Sequence, residues 1–193
     1  MSTIAGGITV LALIYVFFRF FMMGLVTRAK DRIDKNEKRT TVFNYVADNP
    51  GSTMRDASRG LCMNIGTVRY HLFILSMNHR IVSYKADDKH VRYFTNSNMY
   101  NKQEQLIISL MKRENIKKIL DLLVERPGLS NLELSNELKL HESAASRYMK
   151  ELIDKGIVTR EPNTERMNIY TIKNEYKNAI TSIYNRQKHK TSI

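Results

Sequence analysis

Within Asn64–Leu75 (NIGTVRYHLFIL), Asn64, Gly66, Thr67, Arg69 and Tyr70 gather at the start of what the spacing predicts as one helix. Their chemistry suits contact with a polyanion. Gly66 and Thr67 are small enough for close approach, the Arg69 guanidinium can fork onto a guanine edge or a phosphate, and Tyr70 adds a ring and a hydroxyl. Asn64 stands where an N-cap belongs, so the free N–H groups of the first turn face outward. Behind this face Ile65, Val68, Leu72 and Leu75 recur at helical spacing and predict a buried stripe. No acidic residue interrupts the stretch. A helix of this kind fits the major groove of double-stranded DNA.

Such a helix needs a scaffold, and the flanking residues predict one. Val42, Phe43, Val46 and Ala47 mark a helix that stops at Pro50-Gly51, and Ser52 or Thr53 caps a short helix running to Arg59. Gly60–Met63 makes the turn. After Leu75, Ile81–Tyr84 and Val91–Phe94 read as two strands around the polar tip Lys85–His90. Helix, helix, recognition helix and β-hairpin make a winged helix-turn-helix over residues 38–97. Its wing offers Lys85, Lys89 and Arg92 to phosphates.

The pattern then starts again. An ungapped shift of 77 residues sets Pro50-Gly51 on Pro127-Gly128, Ser58 on Ser135, Leu61 on Leu138, Leu75 on Leu152 and Tyr93 on Tyr170. The second recognition helix, Glu142–Ile153, turns Ala145, Met149 and Leu152 inward and Ser143, Ser146, Arg147 and Lys150 outward. Arg160 and Arg166 flank the tip of its wing. Residues 98–112 read as a connecting helix, 113–173 as the second winged unit, and 174–193 as a C-terminal helix with a basic tail. The apolar clusters Leu106–Leu110 and Tyr176–Ile183 lie outside both units and predict a homodimer.

Ile4–Val26 carries Arg19 as its only charge and is long enough to cross a bilayer core as a helix. Arg28, Lys30, Arg32, Lys35, Lys38 and Arg39 follow it. Residues 1–27 are therefore expected to form a single-pass membrane anchor, with the N-terminus outside and the bulk of the chain in the cytoplasm, and 28–37 a linker. The net charge is +12, of which residues 27–40 carry +3, 41–100 +3, 101–172 +1 and 173–193 +4. The excess suits a nucleic acid or an anionic lipid surface. Cys62 is the one cysteine, which excludes an internal disulfide. There is no phosphate-binding loop, zinc-protease motif or nucleophile elbow, and the only candidate catalytic pair is His71 with Asp56. No enzyme, cofactor or metal is expected.

Two motifs carry a family resemblance. TVRYHL at Thr67–Leu72 is similar to the recognition-helix signature of ArsR-like repressors. SAASRYMKELIDKGIVTR at Ser143–Arg160 resembles the recognition helix and first wing strand of MarR-like regulators. Together with the NPG turn at Asn49–Gly51, they resemble archaeal regulators with two helix-turn-helix domains, some of which carry transmembrane segments. The resemblance covers about residues 38–172 and implies a mostly α fold with small β-hairpin wings. It departs where Cys62 and Lys139 stand at turn positions often held by glycine, and where His79 replaces the glycine that the second copy keeps as Gly156. The cysteine pairs of thiolate metal sensors are missing. The expected function is a membrane-tethered DNA-binding transcriptional regulator, and the alternative is a membrane-anchored protein-interaction adaptor built on the same domains.

Overall fold

The computed structural model describes residues 13–23, 37–85, 90–162 and 168–191 of the chain. It is mostly helical, with two small antiparallel sheets. The first helix, α1, covers residues 13–23. Among the described residues no helix is long and apolar enough to cross a membrane. That contradicts the membrane localisation expected from Ile4–Val26. The rest of that run, residues 4–12 and 24–26, and the linker up to residue 36 lie outside the described residues.

From residue 37 the order is α2 (Glu37–Asp48), β1 (Ser52–Thr53), α3 (Met54–Gly60), α4 (Ile65–Met77), β2 (Ile81–Lys85) and β3 (Val91–Thr95). A connecting helix α5 (Lys102–Met111) follows. The order then recurs as α6 (Glu114–Glu125), β4 (Leu129–Ser130), α7 (Asn131–Leu138), α8 (Glu142–Asp154), β5 (Val158–Pro162) and β6 (Asn168–Ile172), and α9 (Asn174–Thr191) closes the chain. The sheets run β1-β3-β2 and β4-β6-β5. Their registers correspond at the 77-residue shift: Ser52 pairs with Tyr93 as Leu129 pairs with Tyr170, and Ser83 with Tyr93 as Arg160 with Tyr170.

The backbone repeats in its least comfortable places as well. Gly51 and Gly128 have φ of 74° and 87°, Cys62 and Lys139 have 50° and 52°, and His79 and Gly156 have 53° and 71°. The non-glycine residues at these turns therefore adopt the left-handed conformation that glycine adopts without strain. Each short helix starts with a capping box, Thr53 with Asp56 and Ser130 with Glu133, so its first free N–H groups are satisfied by side chains.

Two hydrophobic cores form. Val42, Val46, Ala57, Val68, Leu72, Leu75 and Ile81 make the smaller one, under α4. The larger joins α6, α8 and the second sheet to α5 and α9, and it takes in Phe94 from the first sheet, with Val82 and Tyr84 packed against it. The clusters expected to dimerise are spent here: Ile107, Ile108 and Leu110 of α5 and Ile180 and Ile183 of α9 are buried in this one core. A homodimer would have to form through other surfaces. The reason is local geometry, since β6 delivers α9 directly back onto α5.

Relief of strain at the left-handed turns gives a stability test. Lys139→Gly should stabilise the chain by about 0.5–1 kcal/mol. Gly51→Ala should do the opposite, because its φ of 74° disfavours a side chain and the added Cβ would lie 2.9 Å from Ile108 Cγ2. Urea unfolding of the three proteins measures both signs.

Candidate nucleic-acid interface

The face of α4 begins at its cap. Asn64 Oδ1 accepts from the Gly66 backbone N–H at 2.8 Å, which fixes the helix start. Val68, Leu72 and Leu75 are buried as expected, whereas Ile65 is 38% exposed because it lies in the first turn, beyond the edge of the core. Asn64, Gly66, Arg69 and Tyr70 are exposed and Thr67 is half-buried, so the structure brings all of these candidates onto one surface. Arg55 and Arg59 of α3 add two exposed cations that sequence reasoning passed over. Their signal was there to read, as arginines on the helix that precedes a recognition helix, where contact with the DNA backbone is made. The nearby carboxylate is occupied. Asp56 accepts from the Thr53 backbone N–H at 2.9 Å and from Arg59 Nη2 at 2.9 Å. Burial raises its pKa, and these hydrogen bonds outweigh burial and hold the group below its usual value.

The wing differs from expectation. Lys85 is exposed at the end of β2. Arg92 is only 9% exposed, and its Nη1 donates to the Gly51 carbonyl at 2.9 Å. It is a strut between β3 and the α2–β1 turn, and it leaves the set of phosphate contacts. Alternation explains this. Arg92 and Phe94 sit on the inward side of β3, and the polar end of Arg92 finds a backbone oxygen there. Lys89 lies outside the described residues, as does Arg166.

In the second unit Ser143, Ser146, Arg147 and Lys150 are all exposed on α8. His141 supplies the cap, its Nδ1 accepting from the Ser143 backbone N–H. Behind the face, Arg113 makes a two-point ion pair with Glu151, at 2.9 and 2.5 Å, which ties α8 to the start of α6. The surroundings are more acidic than around α4, with Glu137, Glu142 and Asp154 exposed nearby.

Residues 112–159 match the family described as winged helix-turn-helix DNA-binding. The fold is a winged helix-turn-helix. An uncharacterized HTH-type transcriptional regulator of Methanocaldococcus jannaschii is 26% identical over 141 residues, which cover 73% of this chain and 35% of that protein. The chain thus spans about a third of the length of the relative it matches. Among solved structures, a MarR family transcription regulator is 25% identical with a TM-score of 0.37, covering 40% of this chain and 53% of the other. MepR, a transcription regulator of a Staphylococcus aureus multidrug efflux pump, is 16% identical with a TM-score of 0.38, covering 49% and 74%. The matched family is a DNA-binding one and not a family of enzymes.

His71 and Asp56, the one pair that could have suggested catalysis, do not act together. Both Asp56 oxygens are taken by Thr53 and Arg59, while His71 is 4% exposed on the inner side of α4 and its Nδ1 makes no hydrogen bond. Burial lowers the His71 pKa from 6.5, and the positive charges of Arg39 and Lys38 on α2 lower it further. The folded state therefore favours the neutral ring. As pH falls through about 6.5 the unfolded chain binds a proton that the folded chain resists, and stability is lost until the lower, folded pKa is passed. Urea midpoints between pH 7.5 and 5.5 should fall for the natural chain and fall less for His71→Leu.

Proposed function

We propose that this chain is a DNA-binding transcriptional regulator with two winged helix units, residues 38–97 and 113–173, of which the first is the principal reader. The observation that carries this reading is the group of cationic and hydroxylic side chains exposed on the first unit. Asn64, Gly66, Arg69 and Tyr70 on α4, Arg55 and Arg59 on α3 and Lys85 on β2 are exposed, Thr67 is half-buried, and the carboxylate of Asp56 is ion-paired with Arg59. Arg69 and Tyr70 lie near the helix start, where base edges come within reach. Arg55, Arg59, Lys85 and Lys89 serve the backbone. Ser143, Ser146, Arg147 and Lys150 form a second, weaker face in the same chain, so two reading heads do not require two copies.

A protein-interaction adaptor is the second reading, and one observation favours it. Tyr70, Phe73 and Met77 form an exposed row along α4, at 55%, 59% and 64% exposure. The positions 77 residues on are Arg147, Lys150 and Asp154, so the row is peculiar to the first unit. Apolar surface of this kind suits a protein partner more than a phosphate backbone.

Titration of the purified chain against duplexes recovered from genomic DNA, and against scrambled controls at several salt concentrations, separates these readings. Arg69→Ala should cost about 1–3 kcal/mol of discrimination between sites. Lys85→Ala should weaken all sites alike and reduce the log–log salt slope by about 0.9. Arg147→Ala should cost less than Arg69→Ala. Loss of binding in Arg147→Ala with none in Arg69→Ala would place the reading head in the second unit. An absence of binding to any duplex would favour the adaptor.

A further inference from the structure

The exposed stripe of α4 changes character along its length. Its first half presents Gly66, Arg69 and Tyr70, and the exposed positions between Tyr70 and Asn78 are Phe73 and Met77. These two are 59% and 64% exposed and stand outside both hydrophobic cores. Steps of three and four residues set Gly66, Tyr70, Phe73 and Met77 one above the other on a single face. At 1.5 Å per residue the face runs about 16 Å, the axial length of about five base pairs. Tyr70 is steadied by an edge contact with the buried ring of His71, centroid to centroid 5.2 Å, so the row starts from a held side chain.

A helix laid in the major groove by Gly66 and Arg69 therefore brings Phe73 and Met77 against base edges as well. Those edges carry amino donors and ring or carbonyl acceptors, which neither side chain can pair well with, and covering them unpaired is costly. The one apolar group on the major-groove edge is the 5-methyl of thymine. Phe73 offers it a ring, and the unbranched chain of Met77 can adapt to where it lies. In the second unit the positions of Arg69, Tyr70, Phe73 and Met77 are held by Ser146, Arg147, Lys150 and Asp154, so this chemistry is peculiar to α4.

We infer that Phe73 and Met77 are specificity-determining residues that read thymine methyl groups, on the side of the Arg69 contact toward which the C-terminal end of α4 points. This assignment rests on the reading of α4 as the helix that enters DNA, and it names the base that the apolar half of the helix selects. The exposed row then has an occupant without any protein partner.

The test uses the full chain and the duplex it binds most tightly among those recovered from genomic DNA, resynthesised with deoxyuridine replacing one thymidine at a time. Deoxyuridine lacks the 5-methyl and keeps every hydrogen-bonding group of the base. At one or two positions the Kd should rise about fourfold, the worth of one buried methyl group. Phe73→Ala and Met77→Ala should each bind the unmodified duplex more weakly by a similar factor. Each should also lose the response to deoxyuridine at one of those positions, the coupling expected of groups in contact. Both side chains are exposed, so the variants should unfold at the urea midpoint of the natural chain; were either unfolded, the deoxyuridine scan of the natural chain decides. Tight binding that is indifferent to deoxyuridine at every thymine overturns the assignment while DNA binding stands. A deoxyuridine response that survives in both folded alanine variants also overturns it, because other side chains would then touch the methyl groups. Failure to bind any duplex overturns the DNA-binding reading and this assignment with it.

Discussion

The arrangement of both units depends on one buried carboxylate. Glu104 is 4% exposed, and a carboxylate so placed is costly unless its oxygens are satisfied. Its Oε2 accepts from the Asn101 backbone N–H at 2.9 Å, closing the capping box that starts α5. Its Oε1 accepts from Ser182 Oγ at 3.0 Å and from the Arg186 guanidinium, both on α9. The same group therefore begins one helix and ties it to another. Removing either partner would leave a buried charge uncompensated, which makes the α5–α9 contact specific as well as apolar. Onto this pair the first unit docks by Phe94, whose ring lies 5.9 Å from that of Tyr100 and packs edge-on to Tyr84 at 6.3 Å.

Seen from that contact, α4 and α8 are held by different means. Beneath α4 is a small core of its own, braced by Arg92 reaching from β3 to Gly51. The second helix, α8, rests on the large core and is aimed by the Arg113–Glu151 pair. Their outer faces have diverged while their backbones have not. The correspondence of register, of capping boxes and of left-handed turns shows that the shape of the unit is kept where Tyr70, Phe73 and Met77 give way to Arg147, Lys150 and Asp154. Identical scaffolds carrying unlike surfaces are suited to two different tasks, or to one task shared unequally.

Much of this was legible in the residues because it rests on local rules. Helical spacing located α2, α4 and α8, Pro-Gly marked the turns, and the 77-residue shift set Cys62 on Lys139 and His79 on Gly156, pairs that share left-handed backbones in the structure. What escaped was set by tertiary packing. The alternation of β3 put Arg92 inward, but sequence reasoning ranked it by charge and placed it outside. The apolar stripes of α5 and α9 were visible, yet a stripe does not say whether its partner belongs to the same chain or another. Nothing local singled out Glu104 or announced its partner Arg186, which lies 82 positions away.

The shared core joins the supports of α4 and α8 and should hold these two helices in a fixed relation. Cys62 and Lys139 occupy equivalent exposed turns just before α4 and α8, and Cys62 is the only native thiol. Nitroxides on Cys62 and on a Lys139→Cys variant permit the distance between the two heads to be measured by pulsed electron resonance. A single narrow distribution is predicted, broadening when Glu104→Gln is added to uncouple α9 from α5. A broad or two-peaked distribution in the chain with Glu104 intact would contradict the account, because the units would then move independently of the contact said to join them.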